Sequence, residues 1–253
     1  MRITEYDIDA SFPVKTAAVA ADLHDREAPE VREALLSLRP DFILIPGDLT
    51  SRCYTEETHI GRKYTKPYKP PLEALDFLNF SSKLAPTYYS PGNHEWWRTT
   101  DDIRIITETG VCFLDRSFVR FGDFLIGGLP SAYGWGLTYE KHAVPELSWL
   151  QVFEEEKGFH LLLSHNPEYW PKYLHNRKIE LTVSGHAHGG QWRIFGRGIY
   201  APGQGVFPKY TRGMYGDGRL VISAGLTNTQ PLVPRIGNPT ELLVLRIGTK
   251  QEK

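Results

Sequence analysis

Short apolar runs alternate with amphipathic segments along the first hundred residues of the chain. Three of the apolar runs, Val14–Ala20, Phe42–Pro46 and Thr87–Ser90, are typical of buried strands. Between them, apolar residues recur at three-to-four spacing over Pro29–Leu38 and Leu72–Leu84, which predicts two helices. Because strands alternate with helices in this region, the pattern predicts a parallel sheet.

The second half of the chain is richer in predicted strands. Phe118–Phe121 and Phe124–Leu129 flank the turn residues Gly122 and Asp123, which predicts a hairpin. Further strands are predicted at Phe159–Ser164, Leu181–Ser184, Gln191–Phe195, Arg219–Ala224 and Leu242–Ile247, and further helices at Pro145–Glu156 and Glu168–His175. No stretch of disordered composition separates the two halves. We therefore expect one mixed α/β (α+β) domain over residues 1–253, with two facing sheets.

The composition is that of an ordinary globular protein, and it excludes disordered, collagen-like and coiled-coil chains. The chain carries 29 Lys and Arg against 30 Asp and Glu. Because a dedicated nucleic-acid binder usually has a basic excess, we expect no nucleic-acid partner. The two cysteines, Cys53 and Cys112, lack CxxC spacing, so we expect reduced thiols.

The sequence shows no membrane-spanning or export signal. No apolar run approaches the roughly 18 residues that a transmembrane helix needs. The N-terminal segment contains Glu5, Asp7 and Asp9 and has no long apolar core, unlike a secretory signal. We therefore expect a cytoplasmic protein.

The stretch Ser51–Pro71 is long, basic and rich in proline for a connection between a strand and a helix. A connection of this length is either functional or a solvated surface loop. The sequence leaves both interpretations open.

Side chains that bind metal ions follow five of the predicted strands. They lie in the segments Asp22-Leu23-His24, Gly47-Asp48, Gly92-Asn93-His94-Glu95, Ser164-His165-Asn166 and Gly185-His186-Ala187-His188. In an open α/β sheet, ligand sites form beyond the carboxyl ends of the strands. Each segment alone has a structural explanation as a turn or a helix cap. Together, and all at strand ends, they indicate one site.

The chemistry of these side chains indicates a two-metal centre. In extended chain, alternate residues point the same way, so Asp22 and His24 can face one ion, as can His186 and His188. The seven candidate ligands are Asp22, His24, Asp48, Asn93, His165, His186 and His188. Seven groups exceed one tetrahedral zinc site but suit two ions that share a carboxylate. Imidazole, carboxylate and amide ligands suit manganese, which we expect, and also iron, zinc or nickel.

The order and spacing of these motifs resemble those of the calcineurin-like metallophosphoesterases over roughly residues 14–250. The runs Gly185–Gln191, Gly213–Tyr215 and Arg235–Leu242 are similar to the bacterial YkuE/YaeI-type phosphodiesterase branch, which includes UDP-2,3-diacylglucosamine pyrophosphatase-like enzymes. The resemblance implies a four-layer α/β/β/α sandwich of the metallo-dependent phosphatase type. It also implies a site with two divalent ions along one edge of the sandwich.

The resemblance assigns a role to each residue. Asp22, His24 and His188 would hold the first ion; Asn93, His165 and His186 would hold the second; Asp48 would bridge both. His94 would contact the phosphate and assist the leaving group. Glu95 would orient His94 through a hydrogen bond.

The expected reaction is hydrolysis of a phosphomonoester, phosphodiester or pyrophosphate bond in a small-molecule substrate by a metal-activated hydroxide. Two alternatives share the fold: a nuclease or cyclic-nucleotide phosphodiesterase, and a catalytically weak scaffold that binds protein. Trp96 and Trp97 directly follow Glu95 and are the best aromatic candidates for contacting substrate. The oligomeric state stays open.

Overall fold

The computed structural model describes residues 1–51, 70–96, 98–134, 143–228 and 234–249. Most of the predicted loop Ser51–Pro71 lies outside the described residues, and so do Cys53 and Trp97. Among the described residues, no helix is long and apolar enough to cross a bilayer.

The described chain contains sixteen strands and four α-helices. The strands are β1 (Arg2–Pro13), β2 (Lys15–Val19), β3 (Phe42–Ile45), β4 (Thr87–Tyr89), β5 (Cys112–Phe113), β6 (Ser117–Phe121), β7 (Phe124–Leu129), β8 (Phe159–Ser164), β9 (Leu181–Ser184), β10 (Arg193–Ile194), β11 (Arg197–Gly198), β12 (Tyr200–Ala201), β13 (Gly205–Val206), β14 (Gly213–Tyr215), β15 (Leu220–Ile222) and β16 (Glu241–Thr249). The α-helices are α1 (Pro29–Leu38), α2 (Leu72–Leu84), α3 (Thr100–Glu108) and α4 (Trp149–Glu155). Two single turns add a π-helix, Trp170–Leu174, and a 3₁₀-helix, His188–Gly190.

Two six-stranded sheets organise the fold. The first has the strand order β1–β16–β2–β3–β4–β5, and β2 to β5 run parallel. The second has the order β14–β15–β9–β8–β7–β6, with β15, β9, β8 and β7 parallel. Because the central strands of both sheets are parallel, their carboxyl ends deliver the following loops to one edge of each sheet.

The layers are helix, sheet, sheet and helix, which confirms the predicted α/β sandwich. Alternate residues of β2 point to opposite faces: Ala17 and Val19 join a core shared by the two sheets, whereas Ala18 packs toward the helices of the first sheet. Helices α1, α2 and α3 cover that outer face. Helix α4 covers the outer face of the second sheet through Leu150 and Phe153. Both sheets are thus buried on both faces, as the continuous apolar runs of parallel strands require.

The structure refines several predicted elements. The hairpin at Gly122 and Asp123 is confirmed, because Phe121 pairs with Phe124 across the turn. The predicted helix Pro145–Glu156 begins only at Trp149. The predicted helix Glu168–His175 is a π-helical turn, and Pro171, which has no backbone N–H, lies near its start. The predicted strand Gln191–Phe195 shrinks to Arg193–Ile194, one arm of a small hairpin.

Candidate metal centre

All the candidate ligands predicted from the sequence converge on Asp48, which follows β3. The Oδ2 atom of Asp48 lies 3.2 Å from Nε2 of His165, which follows β8 in the other sheet. It also lies 3.8 Å from Nε2 of His24 and 3.8 Å from Nε2 of His94. The carboxylate therefore lies between side chains that come from both sheets.

Asp22 is the second carboxyl group of the cluster. Its Oδ1 atom lies 3.9 Å from Nε2 of His24 and 3.7 Å from Nε2 of His188. The donor atoms of Asp22, His24 and His188 all lie within 4.8 Å of one another, a spacing that one metal ion can span. This group lies on the His24 side of Asp48.

A second group of donor atoms includes Asp48 itself. The donor atoms of Asp48, His165 and His186 also lie within 4.8 Å of one another. The Oδ1 atom of Asn93 adds an amide oxygen 3.1 Å from Nε2 of His165. A third group, His24, Asp48 and His94, overlaps the other two. The seven candidate ligands thus form one continuous cluster, and each is only 0 to 9% exposed.

His94 is the most exposed histidine of the cluster, and His188, with an 11% exposed side chain, comes next. The His94 side chain is 15% exposed, whereas that of Asp48 beside it is 2% exposed. The His94 ring also packs edge-on against the His24 ring at 4.7 Å. His94 therefore lies at the solvent-facing boundary of the buried cluster.

The backbone bends sharply at five of the candidate ligands. Positive φ angles occur at Asp22 (56°), His24 (54°), Asp48 (51°), His186 (67°) and His188 (46°). Each such residue costs roughly 1–3 kcal/mol, and this kind of strain concentrates at functional sites. Here it turns each side chain out of the strand direction and into the cluster.

Close packing accompanies these bends. Gly47, with φ of 100°, precedes Asp48, and a Cβ there would lie 2.6 Å from Nδ1 of His165 and 2.7 Å from Gly92. Only glycine fits both this conformation and this approach between loops.

Backbone N–H groups fix both carboxylates. The N–H of His186 donates to Asp22, at 3.1 Å to Oδ1 and 3.2 Å to Oδ2. The N–H of His94 donates to Oδ1 of Asp48 at 2.9 Å. In addition, the hydroxyl of Thr227 donates to the backbone oxygens of Asp22 and Leu23 at 3.0 Å. The two carboxylates are thereby held in place by neighbouring motifs.

Glu95 is buried behind the cluster and binds backbone rather than solvent. Its carboxylate accepts N–H groups from Asp48 at 3.0 Å, Thr50 at 3.0 Å and Gly92 at 2.7 Å. These bonds join the turn after β3 to the turn after β4. They place Glu95 on the loops that carry Asp48 and Asn93, and the orientation of His94 by Glu95 stays a prediction.

Two imidazoles are oriented by groups outside the cluster. Nδ1 of His165 lies 2.8 Å from the carbonyl oxygen of Pro46, which can only accept, so Nδ1 carries a proton and Nε2 is the nitrogen that faces Asp48. Nε2 of His186 lies 3.3 Å from the hydroxyl of Tyr133, which donates to Glu168 at 2.8 Å. Tyr133 is one of the aromatic residues that the sequence places near the site, with packing as its expected role, whereas Glu168 was not predicted, although it lies three residues after His165.

The burial of so many ionisable groups shifts their pKa values strongly. Burial lowers the pKa of His24 and of His186 well below the usual value, and burial together with Arg235 lowers the pKa of His188 to about 3. Although burial opposes it, the imidazoles around Asp48, His165 above all, hold its pKa well below the usual range. At neutral pH, His24, His186 and His188 are thus neutral beside the ionised Asp48, the forms that bind divalent cations. Burial raises the pKa of Asp22 to about 7, and Asp48, against the effect of burial, raises the pKa of His165 to about 10, so a cation that binds these two groups displaces protons.

His24 shows directly that the cluster fits a cation. Both its ring nitrogens are buried, and neither has a hydrogen-bond partner among the described residues. A buried polar group without a partner costs about 1–3 kcal/mol. A cation between His24, Asp22 and His188 removes that cost, and its donor set has no thiolate, as hard and borderline ions prefer.

Comparison with known proteins agrees with this geometry. The family model described as calcineurin-like phosphoesterase matches residues 15–190. An uncharacterized metallophosphoesterase of Helicobacter pylori strain J99 is 24% identical over 216 residues, which are 84% of this chain and 52% of that protein. One of Campylobacter jejuni subsp. jejuni is 27% identical over 217 residues, again 84% and 52%. The chain spans about half the length of these curated relatives.

Among solved structures, the protein TT1561 of Thermus thermophilus is similar to this chain with a TM-score of 0.41 and 15% identity. The similarity covers 68% of this chain and 81% of that one.

Proposed function

Because this chain belongs to the calcineurin-like phosphoesterase family, we propose that it is a metal-dependent phosphohydrolase of small-molecule phosphate esters. The bond it cleaves is a phosphomonoester, a phosphodiester or a pyrophosphate. The observation that carries the proposal is the cluster of three overlapping groups of donor atoms, two of which share Asp48.

Two divalent ions occupy this cluster in our proposal. Asp22, His24 and His188 hold the first ion, and Asn93, His165 and His186 hold the second. Asp48 bridges both, which is supported by its distances of 3.8 Å to His24 and 3.2 Å to His165. Manganese is the proposed metal, and iron, zinc and nickel accept the same ligands.

The bound ions supply Lewis-acid charge and lower the pKa of the water that attacks phosphorus. The chain itself contributes the positions of the reacting groups. Asp48 and Asp22 together contribute two negative charges. A site that holds two divalent ions therefore keeps a net positive charge, which attracts a phosphate ester.

His94 is the residue that acts on the substrate in this proposal. Because its ring lies at the exposed boundary of the cluster, it can reach a phosphate that enters from solvent. From there the imidazole donates a hydrogen bond to a phosphate oxygen and protonates the leaving oxygen. Glu95 keeps the two loops that carry Asp48 and His94 in register through its three backbone contacts.

Within the family, we place the chain in the YkuE/YaeI-type phosphodiesterase branch. Support comes from the Arg235–Leu242 run, which packs against the metal centre. The amide of Asn238 donates to the backbone oxygen of His188 at 2.7 Å. The guanidinium of Arg235 lies 3.3 Å from Nδ1 of the same histidine. Strands of both six-stranded sheets contribute to the core between them, so we propose a single domain.

Metal add-back tests the proposed reaction. The chain is stripped of metal and reloaded separately with Mn²⁺, Zn²⁺, Ni²⁺ or Fe²⁺, and the hydrolysis of para-nitrophenyl phosphate and of its bis-ester is measured. Metal-dependent release is expected, and the preferred ester distinguishes a phosphatase from a phosphodiesterase. Asp48→Asn is expected to lose both metal and turnover. A folded, metal-loaded protein that hydrolyses neither of the two esters nor a pyrophosphate would overturn the proposal and favour a binding scaffold.

A further inference from the structure

Large apolar side chains are exposed together just after the candidate metal centre. They belong to two small hairpins over residues 191–207, which we call the double hairpin, and to one neighbouring residue. Phe195 is 102% exposed and Phe207 is 75% exposed. The other exposed members are Trp192, Ile194, Tyr200, Val206 and Ile236.

The two phenylalanines hold conformations that bulky residues rarely adopt. In the first hairpin, Ile194 pairs with Arg197, which leaves Phe195 and Gly196 as a two-residue turn. Their φ angles are 49° and 79°, a combination that favours Asn-Gly over Phe-Gly. Phe207 also has a positive φ, 52°. Strain at a fully exposed aromatic residue contributes nothing to packing, so it points to a function outside the folded core.

Backbone pairing makes the exposed side chains neighbours. Trp192 bridges Ile236 in parallel. The N–H of Ile199 donates to the carbonyl of Trp192 at 2.8 Å, and the N–H of Phe207 donates to the carbonyl of Ile199 at 2.8 Å. Strands joined in this way lie about 4.8 Å apart, so the exposed side chains form one surface rather than scattered sites.

The charge of this region has a single sign. Residues 181–216 contain four Lys and Arg and no Asp or Glu, in a chain whose formal net charge is −1. Arg197, in the first hairpin, and Lys209, just after the second, are exposed. Within this stretch of the chain, the exposed apolar side chains therefore have only cationic charged neighbours in the sequence.

We propose that the double hairpin docks this protein on the surface of an anionic lipid bilayer. Phe195, Phe207 and Val206 insert between the lipid headgroups, and Arg197 and Lys209 pair with the lipid phosphates. Aromatic and aliphatic side chains at the hairpin tips, next to Arg197 and Lys209, match the polarity of the bilayer surface, in which an apolar layer lies under a layer of anionic charge. A protein partner of matching charge is the competing occupant, and the test below separates the two.

The double hairpin lies next to the loop that carries His188. Gly190, two residues after His188, packs closely against Gly198 of the first hairpin, and Gly203 of the second packs against Glu168. The docked surface therefore adjoins the candidate metal centre. Docking brings that centre close to the bilayer, whatever reaction it performs.

Vesicle binding by the full chain tests the proposal. Sedimentation is measured with phosphatidylcholine vesicles and with vesicles in which about a third of the lipid is phosphatidylglycerol, at low salt and at high salt, where charge is screened. Selective binding to the anionic vesicles is expected, weakened at high salt, with a blue shift of the tryptophan fluorescence that is lost in Trp192→Phe. Equal binding to both vesicles, or binding to neither, overturns the proposal.

Matched variants locate the contact. Phe195→Asn with Phe207→Asn is expected to lower vesicle affinity at least tenfold without loss of folding, because Asn tolerates positive φ better than Phe. Arg197→Glu with Lys209→Glu is expected to abolish the preference for anionic lipid. Leu36→Ser and Lys178→Glu, exposed residues outside residues 181–216, are the controls and should bind like the wild type. Unchanged vesicle binding in the phenylalanine variant contradicts a lipid partner. So does a wild-type protein that is a dimer in solution and becomes a monomer in this variant, because the hairpins would then contact a second copy of the chain.

Discussion

The carboxylate of Glu95 accepts the backbone N–H of Asp48 at 3.0 Å, although 47 positions separate the two residues in the chain. The same oxygen accepts the N–H of Gly92 at 2.7 Å. One buried side chain therefore ties the loop after β3 to the loop after β4. The position of the proposed bridging ligand depends on a group that does not itself face the metal centre.

Replacement of Glu95 by Gln tests this link. The Gln amide keeps one acceptor oxygen, but its NH₂ group must face a backbone N–H. Two hydrogen-bond donors then face each other in the buried interior, and neither has an acceptor. We expect a loss of about 1–3 kcal/mol in the free energy of unfolding. Metal affinity, measured by titration with Mn²⁺, should fall about 10–100-fold.

Glu33→Gln is the matched control for this variant, since Glu33 lies exposed on α1. It should unfold and bind metal like the wild type. Unaltered metal affinity in the Glu95 variant would show that Glu95 does not position Asp48.

Replacement of Gly189 by Ala should disturb the turn that carries His188. Gly189 has φ of 64°, and a Cβ there would overlap the amide of Asn238. Gly122→Ala is the comparison, because Gly122 has φ of 56° and open space around it. Both variants lose about 1–2 kcal/mol to the left-handed backbone. Gly189→Ala should lose about 1–3 kcal/mol more, by denaturant unfolding. Equal losses would argue that Asn238 does not constrain this turn.

Replacement of His94 by Ala separates catalysis from metal binding. Since His94 lies outside the seven proposed ligands, we expect wild-type metal content. Turnover of an aryl phosphate ester should fall about 10²–10⁴-fold if the imidazole is a general acid. His175→Ala, a histidine outside the cluster, should keep its turnover. A His94 variant that keeps both metal and turnover would remove His94 from the mechanism.

Metal removal should lower the stability of the whole fold. The cluster joins loops from both sheets, and His24 has no other hydrogen-bond partner among the described residues. A metal at 100 times its dissociation constant stabilises the folded state by about 2.7 kcal/mol. Thermal unfolding with and without a chelator should show this difference in the wild type, and much less of it in Asp48→Asn. The same chelator effect in both proteins would place the stabilising metal elsewhere.

The sequence predicted the site best where a metal-binding side chain directly follows both a strand and a glycine. The motifs around Asp48 and His186 combine a glycine, a strand end and a metal-binding side chain, so few other structures explain them. The β3 and β9 strands that precede them were recognised from their apolar runs. These signals are local, and they predict both the layers and the edge at which the motifs meet.

Other features needed the tertiary structure. Strand β1 was missed, although Tyr6, Ile8, Ala10 and Phe12 alternate along it, because each is only half buried or near the edge of the sheet. Helix α3 was missed despite its capping box between Thr99 and Asp102. The contact of Tyr133 with Glu168 joins two loops 35 residues apart, and no local pattern predicts which loops meet.

The most direct test of the central claim is the location of metal in crystals of this chain grown with Mn²⁺, by anomalous scattering. The account predicts two peaks about 3.5–4 Å apart. One should lie among Asp22, His24 and His188, the other among Asn93, His165 and His186, with Asp48 touching both. A single peak, or peaks away from these residues, would contradict a two-metal phosphohydrolase built on Asp48.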